Sequence, residues 1–354
     1  MSNLEEFLDK LNPTLAKKIK TASESKTYKM PTASRALNDA LDGGVGKGRV
    51  TILFGNASAG KSAMALQSIG LWQKQGYVCA YVDSEGTYTK DWAERLGVDN
   101  DELILIQGVK SSARVEKAIT PLLEASIDVL VIDSISDIMP EAFVDDDGQL
   151  KEQDDRKQMG AHAKAITKLV SSILFNNRSD AENGGTAVIL ISQVTTNFTA
   201  QGHAEMIPHG GKKTEHAATQ IVKLTSTNAK DRQISGEFYE GNRLVKKPMG
   251  RKVDFIVRKN KIGAPFGVGE YRLYFAGPHV GVSRAYELIQ FSLEYGVLKK
   301  SAAWFSVEEN GEVVLKVQGE NTLIDRLNEE PETFQWLSDK LDAAMKEGVA
   351  DDLD

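Results

Sequence analysis

The segment Gly55-Asn56-Ala57-Ser58-Ala59-Gly60-Lys61-Ser62 has the spacing G-x4-G-K-[ST]. Glycines at the first and sixth positions let consecutive backbone N–H groups turn toward one point, where a Cβ would otherwise clash. Such a nest binds phosphate. A lysine directly after the second glycine reaches the β and γ phosphates of a nucleoside triphosphate, and the hydroxyl of Ser62 supplies a position to Mg2+. The flanks suit the motif, because Arg49 to Phe54 is a short β-rich run and Ala63 to Trp72 carries apolar residues at helical spacing. A helix starting there would aim the positive end of its dipole at the same phosphates.

Further polar residues stand where other apolar runs end. The run Ile127 to Ile132 closes on Asp133, the place where a phosphate-loop ATPase holds its Mg2+ through a carboxylate. Tyr81-Val82-Asp83 leads into Ser84-Glu85, so Glu85 is expected to orient or deprotonate a water attacking the γ-phosphate. Ile189-Leu190-Ile191-Ser192 ends in Gln193, a neutral amide suited to hydrogen-bonding the γ-phosphate and passing its loss to the loop that follows.

The elements that must position these groups alternate between strand-like and helix-like from Met30 to about Phe275, which predicts an α/β fold with a largely parallel sheet. Strands are expected at Val50–Phe54, Tyr77–Asp83, Leu103–Gln107, Val129–Asp133, Ala187–Gln193, Ile221–Thr225, Val253–Lys259 and Tyr271–Phe275. Several are continuous apolar runs, as in strands buried on both faces, and sites in such sheets form beyond the carboxyl ends of the strands. Two long polar stretches follow strands at that edge, one from Val144 to Gln158 and one from Val194 to His209. Loops of this length inside a compact domain are usually functional. Ahead of the sheet, Leu4, Phe7, Leu8, Leu11, Leu15 and Ile19 have near-helical spacing, and a polar linker follows them.

The chain has 354 residues, 41% hydrophobic and 26% charged, enough for one large core with small attachments. Its net charge of −7 argues against coating nucleic acid by charge alone, while Lys212-Lys213, Lys246-Lys247 and Arg258-Lys259-Asn260-Lys261 leave room for a local basic groove. No apolar run approaches the roughly 20 residues that span a bilayer. With a single cysteine, Cys79, and no signal-peptide pattern, the expected location is the cytoplasm, with no membrane partner.

Taken together these residues resemble the bacterial RecA family of homologous recombinases. The phosphate loop, Asp83-Ser84-Glu85, Trp92 to Asp99, Val131-Ile132-Asp133-Ser134, Ser192-Gln193 and Lys259 to Phe266 occur in the family's order. Ala303-Trp304-Phe305-Ser306, Gln318 to Asn321 and Asn328 to Thr333 resemble its small C-terminal domain. The resemblance implies an N-terminal helical arm over 1–30 for oligomerisation, an ATPase core over 31–277 and a small α/β C-terminal domain over 278–354 with a short acidic tail. It implies ATP and Mg2+ as cofactors, a filament on single-stranded DNA with ATP between neighbouring subunits, and homologous duplex DNA as second partner. Single-strand-binding and mediator proteins would be further partners.

Residue by residue, Gly55 through Ser62 with Ala63 match the nucleotide loop, Glu85 the hydrolytic glutamate and Gln193 the γ-phosphate sensor. Trp92 stands where a tyrosine usually lies against the adenine, and Lys259 and Lys261 match lysines that reach the ATP of the neighbouring subunit. Two DNA-binding loops are implied, at about 144–160 and 194–211. Met159, Gly160, Lys164 and Thr167 match the first, and Thr196, Phe198, Gly210, Gly211 and Lys212 the second, with Phe198 as a wedge between bases. The chain departs from the family at Ala57, where an acid is usual, at Glu215-His216, where a Lys-Phe pair is usual, and at Ser171, where an arginine is usual. Two other readings share the phosphate loop: a ring helicase with the same core, and a DNA scaffold that uses ATP only to assemble. The lysine motif speaks against the first, Glu85 and Gln193 against the second.

Overall fold

The computed structural model describes residues 26–144, 155–179, 181–198, 204–240 and 243–351. The expected N-terminal arm and the acidic stretch after Val144 lie outside these residues. The chain opens with β1 (Lys29–Met30), α1 (Arg35–Ala40) and β2 (Val45–Gly46), then enters the alternating core. There β3 (Val50–Gly55), α2 (Lys61–Gln73), β4 (Cys79–Asp83), α3 (Lys90–Arg95), β5 (Leu103–Gln107), α4 (Ser112–Glu124) and β6 (Val129–Asp133) follow one another. Next come α5 (Asp155–Asn176), β7 (Ala187–Phe198), β8 (Ala204–Pro208), α6 (Gly211–Ala217) and β9 (Gln220–Thr225). The core ends with β10 (Gln233–Glu240), β11 (Arg243–Asn260), β12 (Val268–Tyr274) and β13 (Gly281–Val282).

These strands form one sheet in the order β13-β12-β11-β9-β3-β7-β6-β4-β5. From β9 to β5 every neighbouring pair is parallel, and β11, β12 and β13 close the other side antiparallel. Side chains alternate across the parallel strands, so two cores form. Leu53, Val129, Val131 and Ile189 join Met64, Ile69 and Trp72 of α2 on one face. Ile52, Phe54, Leu130 and Ile132 join Ile119 of α4 and Ile166, Leu169 and Ile173 of α5 on the other. Each expected strand is present; most ends agree within three residues, but β7 runs on to Phe198 and β11 starts at Arg243, well before the expected Val253.

Two expectations are corrected. The stretch after Gln193 is no open loop: β7 continues through Phe198 and pairs antiparallel with β8, from Val194↔Pro208 to Phe198↔Ala204. Thr195, Thr196 and Asn197 make the run read as polar, and its strand character comes from pairing with β8. Likewise the polar stretch expected to run to Gln158 gives way to helix earlier: α5, expected to start at Met159, begins at Asp155 and includes Met159 and Gly160.

After β13, α7 (Arg284–Glu294), β14 (Lys299–Ser301), β15 (Trp304–Glu309), β16 (Glu312–Gln318), α8 (Glu320–Glu329) and α9 (Pro331–Asp351) build a smaller unit. Its three antiparallel strands and helices enclose a core of their own, with Phe305, Leu315, Leu323, Leu337 and Leu341 at its centre. It is tied to α1 by Glu287, whose carboxylate accepts from Ser34 Oγ at 2.6 Å, Arg35 N at 3.0 Å and Ala36 N at 3.2 Å. Arg35 adds an ion pair with Asp342 at 2.8 Å.

Candidate functional site

The register of the parallel strands brings the ends of β3, β7, β6 and β4 to one edge. Gly55 lies beside Gln193, and Asp83 beside Asp133. At Gly55 the chain passes so close to β9 that an added Cβ would sit 2.1 Å from the Leu224 carbonyl oxygen. Ser58 and Gly60 then take left-handed backbone, φ 59° and 81°, and Gly60 caps α2. Asn56 anchors the loop by donating to the Ser226 carbonyl at 3.1 Å. Lys61, 8% exposed, donates to the Gly55 and Asn56 carbonyls, both at 2.9 Å. Burial lowers the ammonium pKa, while Asp133 and Glu85 pull it the other way.

Asp133, 3% exposed, accepts from Tyr81 Oη at 2.5 Å and shares a hydrogen bond with Ser62. Burial raises its carboxyl above the usual range; the bonds from Ser62 and Tyr81 and the charge of Lys61 act against that rise. A carboxylate and a hydroxyl side by side are hard oxygen donors, the set that Mg2+ takes when it also binds phosphate. The nest, Lys61, Ser62 and Asp133 therefore fit a nucleotide with its divalent cation.

Glu85 stands on the loop after β4 and is held by an arrangement that the sequence reading missed. Asp83 accepts from the backbone N–H of Gly86 at 2.8 Å, of Thr87 at 3.1 Å and of Tyr88 at 3.1 Å, and from Gln107 Nε2 at 2.9 Å. Burial pushes Asp83 up, but those four donors outweigh it and keep the carboxyl below its ordinary value. Glu85 itself is raised by burial, by Asp133 and by Asp137, with Ser134 and Asp137 side chains as hydrogen-bond partners. A carboxylate raised in this way is a better proton acceptor. The signal for Tyr81 was available: a phenol two residues before Asp83, hence on the same strand face, in a run otherwise apolar.

The other expected residues fall into three places. Gln193 is exposed midway along β7, beside the end of β3 and just before the pairing with β8, its N–H bonded to Ser136 Oγ at 2.9 Å. Trp92 lies half-buried on α3 with the Arg95 guanidinium 5.4 Å from its ring centroid. On α5 and α6, Thr167 Oγ1 donates to the Ala163 carbonyl at 2.8 Å and the Gly210 carbonyl at 3.4 Å, so its hydroxyl joins the helix to the Gly210 turn. Lys164, Thr196 and Lys212 are exposed, and Gly210 and Gly211 have φ 96° and 70°. An added Cβ at Gly210 would meet Thr214 Oγ1 at 2.5 Å, whereas Gly211 faces open space.

Lys259 and Lys261 do not join the phosphate loop of their own chain. Lys259 pairs with Ile221, which lies beside Ile52, and Asn260 pairs with Gln220, beside Thr51. Gly55 is three residues along β3 from the level of Lys259 and four from that of Asn260, about 10 and 13 Å at strand rise, toward the carboxyl edge. Both ammonium groups instead meet the C-terminal carbonyls of α6: Lys259 Nζ donates to Glu215 O at 2.5 Å and His216 O at 3.1 Å, and Lys261 Nζ to His216 O at 3.5 Å.

A parallel sheet with a phosphate nest, a buried carboxylate and a hydroxyl at its carboxyl edge defines a phosphate-loop nucleotide-binding protein. Residues 14–278 match the family described as the RecA N-terminal domain. The chain is 32% identical over 279 residues to Protein RecA of Methylobacterium sp. (strain 4-46), covering 78% of this chain and 70% of that one. It is 31% identical over 315 residues to Protein RecA of Thermus aquaticus, covering 88% and 84%. A solved structure of the RadB recombinase aligns with a TM-score of 0.48 at 17% identity, over 72% of this chain and 98% of that one. The chain belongs to the RecA family, and its mixed α/β fold is a RecA-like core with a smaller α/β unit after it.

Proposed function

We propose that this protein is a DNA-dependent ATPase that polymerises on single-stranded DNA and exchanges strands with homologous duplex, using ATP and Mg2+, in the cytoplasm. The observation that carries the reading is the division of basic groups between the phosphate loop and the carbonyls of α6. Lys61 serves the nest of its own chain. Lys259 and Lys261 stand further back along the sheet, on the carbonyls of α6, where a neighbouring subunit's nucleotide could meet them. A site completed by a neighbour makes hydrolysis depend on the filament.

In this reading the loop N–H groups and Lys61 bind the triphosphate, and Ser62 and Asp133 would hold Mg2+, which neutralises charge on the phosphate oxygens when bound. Glu85 accepts the proton of the attacking water. Gln193 senses the γ-phosphate at the root of the β7–β8 hairpin. That hairpin, with Thr196 and Phe198, and the Gly210-Gly211-Lys212 turn would meet DNA backbone and bases, together with Lys164 of α5 and the Met159-Gly160 end of that helix. Residues 31–277 would form the motor, 278–354 the attached unit and 1–30 the arm to the next subunit. Single-strand-binding and mediator proteins would assist loading.

The test is ATP turnover with and without single-stranded DNA, and strand exchange against homologous and heterologous duplex. Glu85→Gln is expected to bind ATP and DNA but to lose about 10²- to 10⁴-fold in turnover, the size of a general-base contribution. Undiminished turnover would remove Glu85 from its role, and products independent of homology would remove strand exchange.

A further inference from the structure

One cluster of titratable side chains lies outside the nucleotide site yet connects it to the hairpin. His162 of α5 and His209, in the turn between β8 and α6, meet edge to face with ring centroids 5.7 Å apart and planes at 81°. His162 Nε2 is buried without a partner, and backbone hydrogen bonds tie the same ring to Ser136 and Ile138, in the turn after β6. That turn also holds Asp137, which accepts from Ser134 Oγ at 2.6 Å and touches the Glu85 carboxyl. His209 N donates to Ser192 Oγ at 2.9 Å, and the neighbouring Gly210 is reached by Thr167 of α5. A chain of contacts thus runs from the hydrolytic carboxyl through Asp137 and His162 to the base of the hairpin.

We propose that Asp137, His162 and His209 are positioning residues of ATP hydrolysis, clamping the hairpin to the turn that holds Glu85 as long as the imidazole pair carries at most one proton. This rests on the reading that Glu85 activates the water and that the hairpin meets DNA. Across the elements packed here, the charged groups that act on the pair are Asp137, which favours protonation of both rings, and His162 itself, which opposes it at His209. Burial lowers both imidazoles below the ordinary histidine range, the first cause in each case. At neutral pH the pair is therefore closed. A second proton would set like charges edge to face, push His209 away and uncouple the hairpin from Glu85.

Two measurements test this. In the first, kcat with saturating single-stranded DNA and kcat without DNA are followed from pH 7.5 to 4.5 for the full chain and for His162→Gln. The DNA-stimulated increment of the unchanged protein should fall, approaching about tenfold per pH unit once the second proton binds, with the basal rate falling less. His162→Gln should lose that step, with its DNA-stimulated increment already reduced at pH 7.5 and no longer steeper in pH than the basal rate, and His209→Gln should flatten it in the same way. In the second, imidazole NMR of the DNA-free protein should show His209 titrating below an ordinary histidine and returning toward about 6.5 in His162→Gln. Stimulation that falls no faster than the basal rate in the unchanged protein, or a His209 midpoint unmoved by His162→Gln, overturns the proposal. Absence of any stimulation at any pH overturns the function beneath it, and the NMR titration separates the two failures.

Discussion

Replacing Glu287 by glutamine should change how stability depends on pH more than it changes stability at any one pH. The carboxyl is almost wholly buried between α7 and α1, and burial drives its pKa from 4.5 to about 7, against the pull of Ser34, the two backbone N–H groups and Arg35. The unfolded chain gives up this proton near 4.5, and the folded chain keeps it until about 7. Between those values the native state binds more protons, so this group's contribution is full below pH 4.5 and is lost as pH rises through 7. A shift of that size is worth about 3 kcal/mol. Glutamine keeps one oxygen for Ser34 Oγ and the Ala36 N–H, loses the bond that Oε2 accepts from the Arg35 N–H and cannot titrate, at a cost of roughly 1 kcal/mol for the poorer bond set. Urea unfolding followed by tryptophan fluorescence at pH 5, 6, 7 and 8 would compare the two proteins. The difference in stability, wild type minus Glu287→Gln, should fall by up to about 3 kcal/mol from pH 5 to 8. Parallel pH curves would refute the reasoning, because a carboxyl ionised in both states has no such slope.

Tyr81→Phe removes the hydroxyl that donates to Asp133. A hydrogen bond to a charged group is worth about 1.5–3 kcal/mol, so half-saturation of ATPase by Mg2+ should move roughly tenfold upward, and the acid limb of the pH profile should shift to higher pH. Gly55→Ala forces a Cβ against the Leu224 carbonyl. Prying β3 from β9 should cost about 2–3 kcal/mol, read as a lower thermal midpoint, with nucleotide affinity lost in parallel. Lys259→Ala combined with Lys261→Ala should leave ATP binding by the dilute subunit unchanged and lower DNA-stimulated turnover by about a hundredfold or more. Weakened binding by the dilute subunit would place the lysines at their own chain's nucleotide, against the register of β11.

Much of this was legible in one dimension, because the parallel strands are buried on both faces and their sequences are nearly pure apolar runs. Val129 to Ile132 needs no partner to be recognised, and the residue where the run stops, Asp133, is by that fact at the functional edge. The phosphate loop is legible for another reason: its geometry depends on local backbone, at Gly55 and Gly60, and not on distant contacts. What stayed hidden depends on pairing between segments far apart in the chain. Asp83 reads as the end of a strand, and only the fold shows its carboxyl gathering three N–H groups of the loop that carries Glu85. His162 and His209 are 47 positions apart, an interval that no periodicity joins. The β7–β8 hairpin was missed because Thr195, Thr196 and Asn197 are polar and strand register is set by the partner strand, here Ile207 and Pro208.

Charge at the site adds a constraint that neither the motif nor the fold supplies alone. At the edge of the sheet one ammonium, Lys61, faces Asp133 and Glu85, and Asp137 stands against Glu85. Two of these three carboxyls are raised, the direction expected when acids crowd together away from water. The guanidinium of Arg251 stands at the same loop, donating to the Ser58 carbonyl at 3.5 Å and to Ser226 Oγ at 3.1 Å. In the proposed reading a divalent ion between Ser62, Asp133 and the phosphates would offset the crowded carboxyls, with Lys61 and Arg251 as cations of this chain at the loop. Lys259 and Lys261 are held on the carbonyls of α6, and the double alanine variant tests the proposal that a neighbour's nucleotide receives them. The same charge balance suits Glu85 to the role proposed for it. A carboxylate surrounded by acids gains most from accepting a proton, and the approach of neighbouring cations would restore its charge for the next water.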